Sequence, residues 1–313
     1  MQHVHFTAIG GTVVLDLAIA VSKKNDYKVT VSGENFPDAT CELLRQHRLL
    51  PDRQGWFPEQ ISRSISAVVY GSDARYDNPE LVKARELGLK IYSSHEYLFV
   101  QTRNKTRIVV GGSHGKTTIT AMIVYVMKQL KIDADFLIGT RLSSNESTVR
   151  LSYEARIAVF DGDENFSSSI DQRPRFHLYK PHIAVLTGIA RDYSVTYPDF
   201  EEYKLQFNQF INLMETQGRL IYYSGDPALS QLTAKLRRDL VAFPYTTPAY
   251  ETENGIWYIH HRKGKTALKI TGEALLRCVQ AAMLACKQVG INEEMFYSVI
   301  GGFTTDTMSI KTD

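Results

Sequence analysis

The stretch Ile108-Val109-Val110-Gly111-Gly112-Ser113-His114-Gly115-Lys116-Thr117-Thr118 constrains this chain more than any other, because an apolar β-branched run ends there in a glycine-bracketed turn carrying a lysine and two threonines. The run suits a buried strand. The glycines let backbone N–H groups approach phosphate oxygens, and the residues from Lys116 onward open a helix whose positive end faces an anion. In such a turn the lysine reaches the outer phosphates of a nucleotide and the Thr117 hydroxyl sits on Mg²⁺. The general P-loop pattern places a glycine five residues before Gly115, where this chain has Val110. What remains is a tighter loop, Gly-x-x-Gly-Lys-Thr-Thr, from Gly112 to Thr118.

Strand and helix patterns alternate before and after this loop. Strands are predicted over residues 3–9, 27–32, 67–70 and 90–92, with helices over 12–23, 38–47 and 79–87 between them, the pattern of a small doubly wound α/β domain. A segment at 96–101 leads through the polar run 102–106 to the P-loop strand, so the boundary is placed at 104, giving domains 1–104 and 105–313. The second domain continues with a helix at 116–130 and apolar strands at 157–160 and 182–186, which read as a buried parallel sheet. A helix at 200–214, strands at 219–222 and near 255–259, and a helix at 273–289 complete it. Gly10 and Gly11 end the first strand just before the first helix, where a backbone can approach a pyrophosphate. A tight turn would need the same two glycines for structure alone.

Composition removes several classes of function. With 36 Lys and Arg against 34 Asp and Glu, a net charge of +2 and no long basic run, the chain offers no surface for nucleic acid. The longest apolar stretch, residues 13–21, is interrupted by Asp16 and is too short to span a membrane, and the first residues lack a signal-peptide pattern, so a cytoplasmic location is expected. Three scattered cysteines, Cys41, Cys278 and Cys286, suit reduced thiols better than a disulfide frame or metal site.

The segments Gly112-Ser113-His114-Gly115-Lys116-Thr117-Thr118, His5-Phe6-Thr7-Ala8-Ile9-Gly10-Gly11, Asp77-Asn78-Pro79-Glu80-Leu81, Ala84-Arg85-Glu86-Leu87-Gly88 and Asp161-Gly162-Asp163-Glu164 together resemble, in order, those of the Mur ligases, which build the peptide of bacterial cell walls. The resemblance extends over essentially all 313 residues. It is strongest to the ligases acting on UDP-N-acetylmuramate, the L-alanine-adding and muropeptide-recycling enzymes. It implies a Rossmann-like UDP-binding domain followed by a P-loop-type central domain. A UDP-sugar would lie at Gly10, Gly11 and Ser72, and ATP on Gly112, Ser113, His114, Gly115, Lys116, Thr117 and Thr118. Mg²⁺ would be held by Thr117 and Asp161, with Asp163 and Glu164 close by. The implied chemistry is attack of a carboxylate on the ATP γ-phosphate, followed by displacement of phosphate by an amine, with Lys116 and Asp161 as the catalytic residues.

Several departures predict impaired activity. Thr12-Val13-Val14 is bulkier than the family's glycine-rich turn, and Val31-Ser32-Gly33 stands where the family tends to have Gly-Ser-Asp. Asp161 replaces a glutamate, which pulls the carboxylate back by about one carbon–carbon bond, ~1.5 Å. Tyr193 in Ala190-Arg191-Asp192-Tyr193 occupies the place of a metal-proximal histidine, and a neutral tyrosine is a poor metal ligand at neutral pH. In Gly272-Glu273-Ala274-Leu275-Leu276-Arg277-Cys278, Ala274 and Leu275 take the places of a His-Asn pair that contacts adenosine. The family also carries a third, C-terminal ligase domain, expected to be absent from a chain ending at Asp313. The sequence therefore supports two expectations: an impaired or inactive UDP-N-acetylmuramate ligase, or a non-catalytic UDP-sugar- or nucleotide-binding regulatory module. It names no protein partner.

Overall fold

The structure, a computed structural model, describes residues 1–139, 147–190, 196–197 and 199–304. Four strands, β1 (Gln2–Thr7), β2 (Tyr27–Val31), β3 (Ala67–Tyr70) and β4 (Ile91–Ser93), form a parallel sheet in the order β2-β1-β3-β4. They alternate with helices α1 (Thr12–Ser22), α2 (Asp38–Gln46) and α3 (Pro79–Glu86). Because β2 lies on one side of β1 and β3 on the other, the strand order reverses at β1, and the turns after β1 and β3 flank the crevice where doubly wound sheets bind ligands.

The segment at 96–101 lies within a helix, α4 (Ser94–Thr102), started by Ser93, whose Oγ accepts the Glu96 backbone N–H at 3.2 Å. It leads into the second sheet. There β5 (Thr106–Gly111), β6 (Ala134–Leu137), β7 (Val149–Arg150), β8 (Ile157–Asp161), β9 (Ile183–Leu186), β10 (Arg219–Tyr223) and β11 (Val241–Tyr245) run in the order β11-β10-β9-β5-β8-β6-β7. All neighbours are parallel except β6 and β7. Helices α5 (Lys116–Gln129), α6 (Phe200–Asn212), α7 (Pro227–Thr233), α8 (Glu273–Gln288) and α9 (Glu293–Ile300) surround this sheet.

The strand expected near 255–259 does not join the parallel sheet. It is part of β13 (Ile256–His261), in the middle of an antiparallel sheet with β12 (Tyr250–Glu253) and β14 (Gly264–Leu268). Strands β6 and β11 were not signalled by pattern. β6 is only Ala-Asp-Phe-Leu, with a fully buried Asp135 whose charge is met by Lys105 Nζ at 2.5 Å. β11 contains Pro244, tolerated because β11 is an edge of the sheet.

Alternation along the central strands sorts their side chains to two faces. Ile108, Val110, Val159, Ile183 and Val185 pack with α5, α8 and α9, while Val109, Ala158, Phe160, Ala184 and Leu186 face the opposite way. That second face shares a core with Val14, Leu17, Ala18 and Val21 of α1 and with Tyr97 and Leu98 of α4, so the two parallel sheets are joined by apolar packing. Asp16 of α1 adds a polar tie, accepting from the Thr148 backbone N–H and Oγ1, both at 2.7 Å.

No helix among the described residues is long and apolar enough to cross a membrane. The three cysteines are unpaired, with Cys278 and Cys286 buried.

Candidate phosphate and metal site

The chain runs from β8, on one side of β5, to β9 on the other, so the second sheet has its own reversal point at the C-terminal ends of these three strands. The loop after β5 lies at that point. Gly112 adopts φ 124°, and a Cβ there would stand 2.2 Å from Thr187 Oγ1. Gly115, at φ 81°, precedes the first residue of α5, and a Cβ on it would come 3.1 Å from Cys278 Sγ. Both positions demand glycine for conformation, and Gly112 also for space. The first intrahelical bond of α5 is Ile119 N–H to Gly115 O at 2.9 Å, so the preceding backbone N–H groups at this helix start have no intrahelical acceptor.

Ser113 is committed to the loop itself. Its N–H donates to Gly188 O at 2.9 Å, and its Oγ accepts the Ala190 N–H at 2.8 Å and lies 3.2 Å from Tyr203 OH. His114 is exposed on the turn, and Thr118 is half-buried in the first turn of α5. Lys116 folds back over the loop: its Nζ donates to Gly112 O at 2.7 Å and lies 2.9 Å from Glu164 Oε2. Glu164 is steadied by Tyr203 OH, which donates to Oε1 at 3.2 Å.

Asp161 ends β8 in register with Val110 of β5. This register offsets the shorter side chain, since Asp161 Oδ2 accepts from Thr117 Oγ1 at 2.5 Å and from the Gly139 N–H at 3.2 Å. A Cβ on Gly139 would lie 2.6 Å from that oxygen, so a glycine there gives the carboxylate its room. Asp161 is 7% exposed, and its other oxygen, Oδ1, has no hydrogen-bond partner. Burial raises its pKa above the ordinary aspartate value, against the opposing effects of Thr117 and Lys116. A carboxylate with an unmet buried oxygen beside a threonine hydroxyl fits Mg²⁺, which binds through one or two protein oxygens and completes its shell with phosphate and water. No cluster of three or more His, Cys, Asp or Glu ligands exists among the described residues.

Asp163 and Glu164, expected beside the metal, are engaged by cations instead. Asp163 Oδ2 accepts from Arg175 Nη1 at 2.5 Å, and Glu164 pairs with Lys116. Glu164 thus holds the charge that an incoming phosphate would need. Glu164→Gln is expected to tighten pyrophosphate binding by roughly three- to tenfold, because a part-buried ion pair no longer has to be broken. Calorimetric titration that gives equal or weaker affinity would show that Glu164 does not compete for the lysine.

At the first sheet, Gly11 precedes α1 in an extended conformation, and the loop after β3 packs against it. A Cβ on Gly11 would lie 3.4 Å from Ser72 Oγ, and one on Gly10 would lie 3.2 Å from Asp73 Oδ2. The structure therefore brings Gly10, Gly11 and Ser72 together and adds a carboxylate that opposes a phosphate there. Ser72 Oγ already donates to Asp73 Oδ1 at 2.9 Å. Ser32 faces inward and donates to the buried Glu80, which also accepts from Thr7 and from the Phe57 N–H. Although burial works against ionisation, bonds from His5, Ser32 and Thr7 hold the Glu80 pKa below its ordinary value.

Near the loop, α8 presents Ala274 as an exposed residue and Leu275 as a half-buried one packed on the core. Tyr193 lies outside the described residues. Arg175 and His95 were not anticipated. Both line a cavity of about 300 Å³ with Val13, Lys116, Thr117, Leu137, Gly139, Asp161 and Asp163. They come from parts of the chain far from the glycine loop, and no local spacing marks them.

The sequence matches the model of the Mur ligase middle domain over residues 110–277. It is 26% identical over 315 residues to the UDP-N-acetylmuramate--L-alanine ligase of Desulforamulus reducens, a match covering 97% of this chain and 66% of that enzyme. The ligase of the same name from Aquifex aeolicus is 27% identical over 273 residues, covering 87% of this chain and 57% of that enzyme. The chain thus spans less than two thirds of the length of these relatives. Among solved structures, the UDP-N-acetylmuramate:L-alanyl-gamma-D-glutamyl-meso-diaminopimelate ligase from Neisseria meningitides superposes with a TM-score of 0.84 at 19% identity, covering 99% of both chains. A murein peptide ligase from Psychrobacter arcticus gives 0.82 at 20% identity, covering 97% of this chain and 68% of that one. At these identities the structural likeness speaks to the fold alone.

Proposed function

Because the chain belongs to the Mur ligase family, its middle domain matching over more than half of the sequence, we propose that it binds the phosphates of ATP with Mg²⁺ at the glycine loop and a UDP-N-acetylmuramate-type carboxylate in the cleft between the two parallel sheets. The observation that carries this reading is the Thr117–Asp161 pair, with its unmet Oδ1, next to Lys116. Thr117 and Asp161 would hold Mg²⁺, which when bound supplies positive charge to the phosphate oxygens. Lys116 would leave Glu164 for the outer phosphate and stabilise charge as the carboxylate oxygen forms its bond to phosphorus and the bond to the ADP oxygen breaks. The α5 N-terminus would orient the same group. These are the elements of acyl-phosphate formation, the reaction by which a carboxylate is readied for an amine.

On this reading the activity is impaired, and nucleotide affinity limits it. Ala274 and Leu275 offer no polar contact to a nucleoside, and Lys116 starts out paired. Ala274→His with Leu275→Asn, restoring two polar groups, is expected to tighten Mg-ATP binding by roughly tenfold, each neutral hydrogen bond being worth about 0.5–1.5 kcal/mol net. Unchanged affinity in a variant with unchanged Tm would mean that these positions do not limit the site. A second reading is a non-catalytic sugar-nucleotide or nucleotide sensor: the Lys116–Glu164 pair withholds the lysine from catalysis and Ala274 and Leu275 leave the nucleoside without polar contacts, while the glycines and the α5 start still offer backbone N–H groups to a phosphate. Calorimetric titration of the 313-residue chain with Mg-ATP, then with UDP-N-acetylmuramate, tests both readings, and binding of neither ligand would overturn both. Product formation with an amino acid or peptide, above a Lys116→Ala control, separates ligase from sensor.

A further inference from the structure

The cavity beside the glycine loop has two unlike halves. One is built by Lys116, Thr117, Gly139 and Asp161 of the second sheet. The other is built by Val13 of α1 and His95 of α4, both from the first-sheet part of the chain, with Arg175 beside them. The first turns of three helices, α1, α4 and α5, therefore converge on about 300 Å³ of space, and each contributes positive potential. The volume suits a terminal phosphate and one further small group.

Within the first-sheet half, the polar side chain is His95. It is only 3% exposed, and the polar contact of its ring is Ser94 Oγ, 3.4 Å from Nδ1. Arg175 is already neutralised by Asp163. Burial, with Arg175 adding to it, pushes the His95 pKa down to about 3, so the imidazole is neutral and keeps one N–H to donate. Carboxylate attack on a phosphate held at Lys116 requires the reacting oxygen to stand roughly 3–3.5 Å from phosphorus, which places it inside this cavity. Val13, two residues after Gly11 in the first turn of α1, lines the same space, so a sugar nucleotide with its pyrophosphate at the Gly10-Gly11 turn would have its sugar end at the cavity.

We propose that His95 seats the carboxylate of the sugar nucleotide opposite Lys116, and so makes the cleft selective for a sugar that carries a carboxylate over one that lacks it. This rests on the function proposed above and adds the residue that reads the carboxylate. Two probes bracket it: UDP-N-acetylmuramate and UDP-N-acetylglucosamine, the same sugar nucleotide without the lactyl ether that carries the carboxylate, with the His95 variants separating the carboxylate contact from the rest of the lactyl group. Wild type is expected to prefer the first by roughly tenfold or more, the size of one hydrogen bond to a charged group. His95→Ala should reduce that preference to under about threefold without changing affinity for UDP-N-acetylglucosamine, and His95→Gln, which keeps an N–H donor, should recover part of it. His95→Leu, which fills the ring's volume without a donor, replaces the alanine variant if the latter is unfolded. A preference that survives loss of the donor overturns the proposal, as does wild type binding both probes equally. Wild type binding neither probe instead overturns the UDP-sugar reading on which the proposal stands.

Discussion

Replacing Lys116 with alanine is expected to weaken pyrophosphate binding by roughly ten- to hundredfold. Hydrogen bonds to charged groups contribute about 1.5–3 kcal/mol each, and this ammonium is the one cation within 3 Å of the loop carbonyl of Gly112 among the contacts described. Two effects add. The phosphate loses its counter-charge, and Glu164, at 15% side-chain exposure, is left without its partner beside an incoming anion. The double variant Lys116→Ala with Glu164→Gln separates them, because it removes the repulsion and should regain part of the lost affinity. Stability should fall little, since the lysine's stem packs at the mouth of a cleft and not in a core. Calorimetry with pyrophosphate, alongside thermal melts, checks this. Affinity within twofold of wild type would mean that phosphate is held by the helix start alone, or not in this loop.

How much of this site was legible in the sequence differs from residue to residue. The glycine loop could be read directly because its chemistry is local: a strand, two glycines in left-handed or extended positive-φ conformations, and a helix start occupy consecutive positions. The strand–helix alternation of the first sheet could be read for the same reason, since apolar runs of four to six residues are bounded by turns. Asp161 could be suspected but not placed, because its contact with Thr117 depends on β8 pairing next to β5, a fact of strand order that no local pattern carries. The pairing of Glu164 with Lys116 reversed the role expected of that carboxylate. His95 and Arg175 reach the cavity only because α4 and the turn beginning at Arg175 pack against one another in three dimensions. The antiparallel β12–β14 sheet was seen as a single strand because its outer strands are largely exposed and carry weak alternation.

The largest effect on stability is expected from Arg107→Met, a change that keeps the length and apolar stem of the side chain and removes its charge. Arg107 is 1% exposed, one of the largest fully buried side chains, and each of its nitrogens is occupied. Nε donates to Tyr179 O at 2.8 Å and Lys180 O at 3.2 Å, and Nη1 to Thr102 O, Arg103 O and Lys105 O at 3.2, 2.9 and 3.0 Å. Nη2 donates to Lys180 O at 3.1 Å and to Glu215 Oε1 at 2.6 Å. The guanidinium thus satisfies carbonyls at the C-terminal end of α4 and at the end of the 3-10 turn Arg175–Tyr179, groups a helix end cannot satisfy by itself. Methionine would leave the buried Tyr179 carbonyl and the carbonyls at the α4 end without this donor, Thr102 O keeping its bond from the Lys105 N–H at 2.9 Å, and would leave Glu215 without its counter-charge. Breaking a buried charged network of this kind costs about 3–5 kcal/mol, so Tm should drop by roughly 10 °C. Arg107→Lys, with fewer donors and no planar fork, should fall between the two. The consequence reaches the site, because the two elements pinned at their C-terminal ends by Arg107 deliver His95 and Arg175 to the cavity from their N-terminal ends. The lysine variant, the more stable of the two, should therefore bind UDP-N-acetylmuramate more weakly while its affinity for pyrophosphate at the glycine loop is kept. A melt for the methionine variant within about 2 °C of wild type would refute the stability argument. Equal losses for both ligands in the folded lysine variant would refute the link between this junction and the His95 wall.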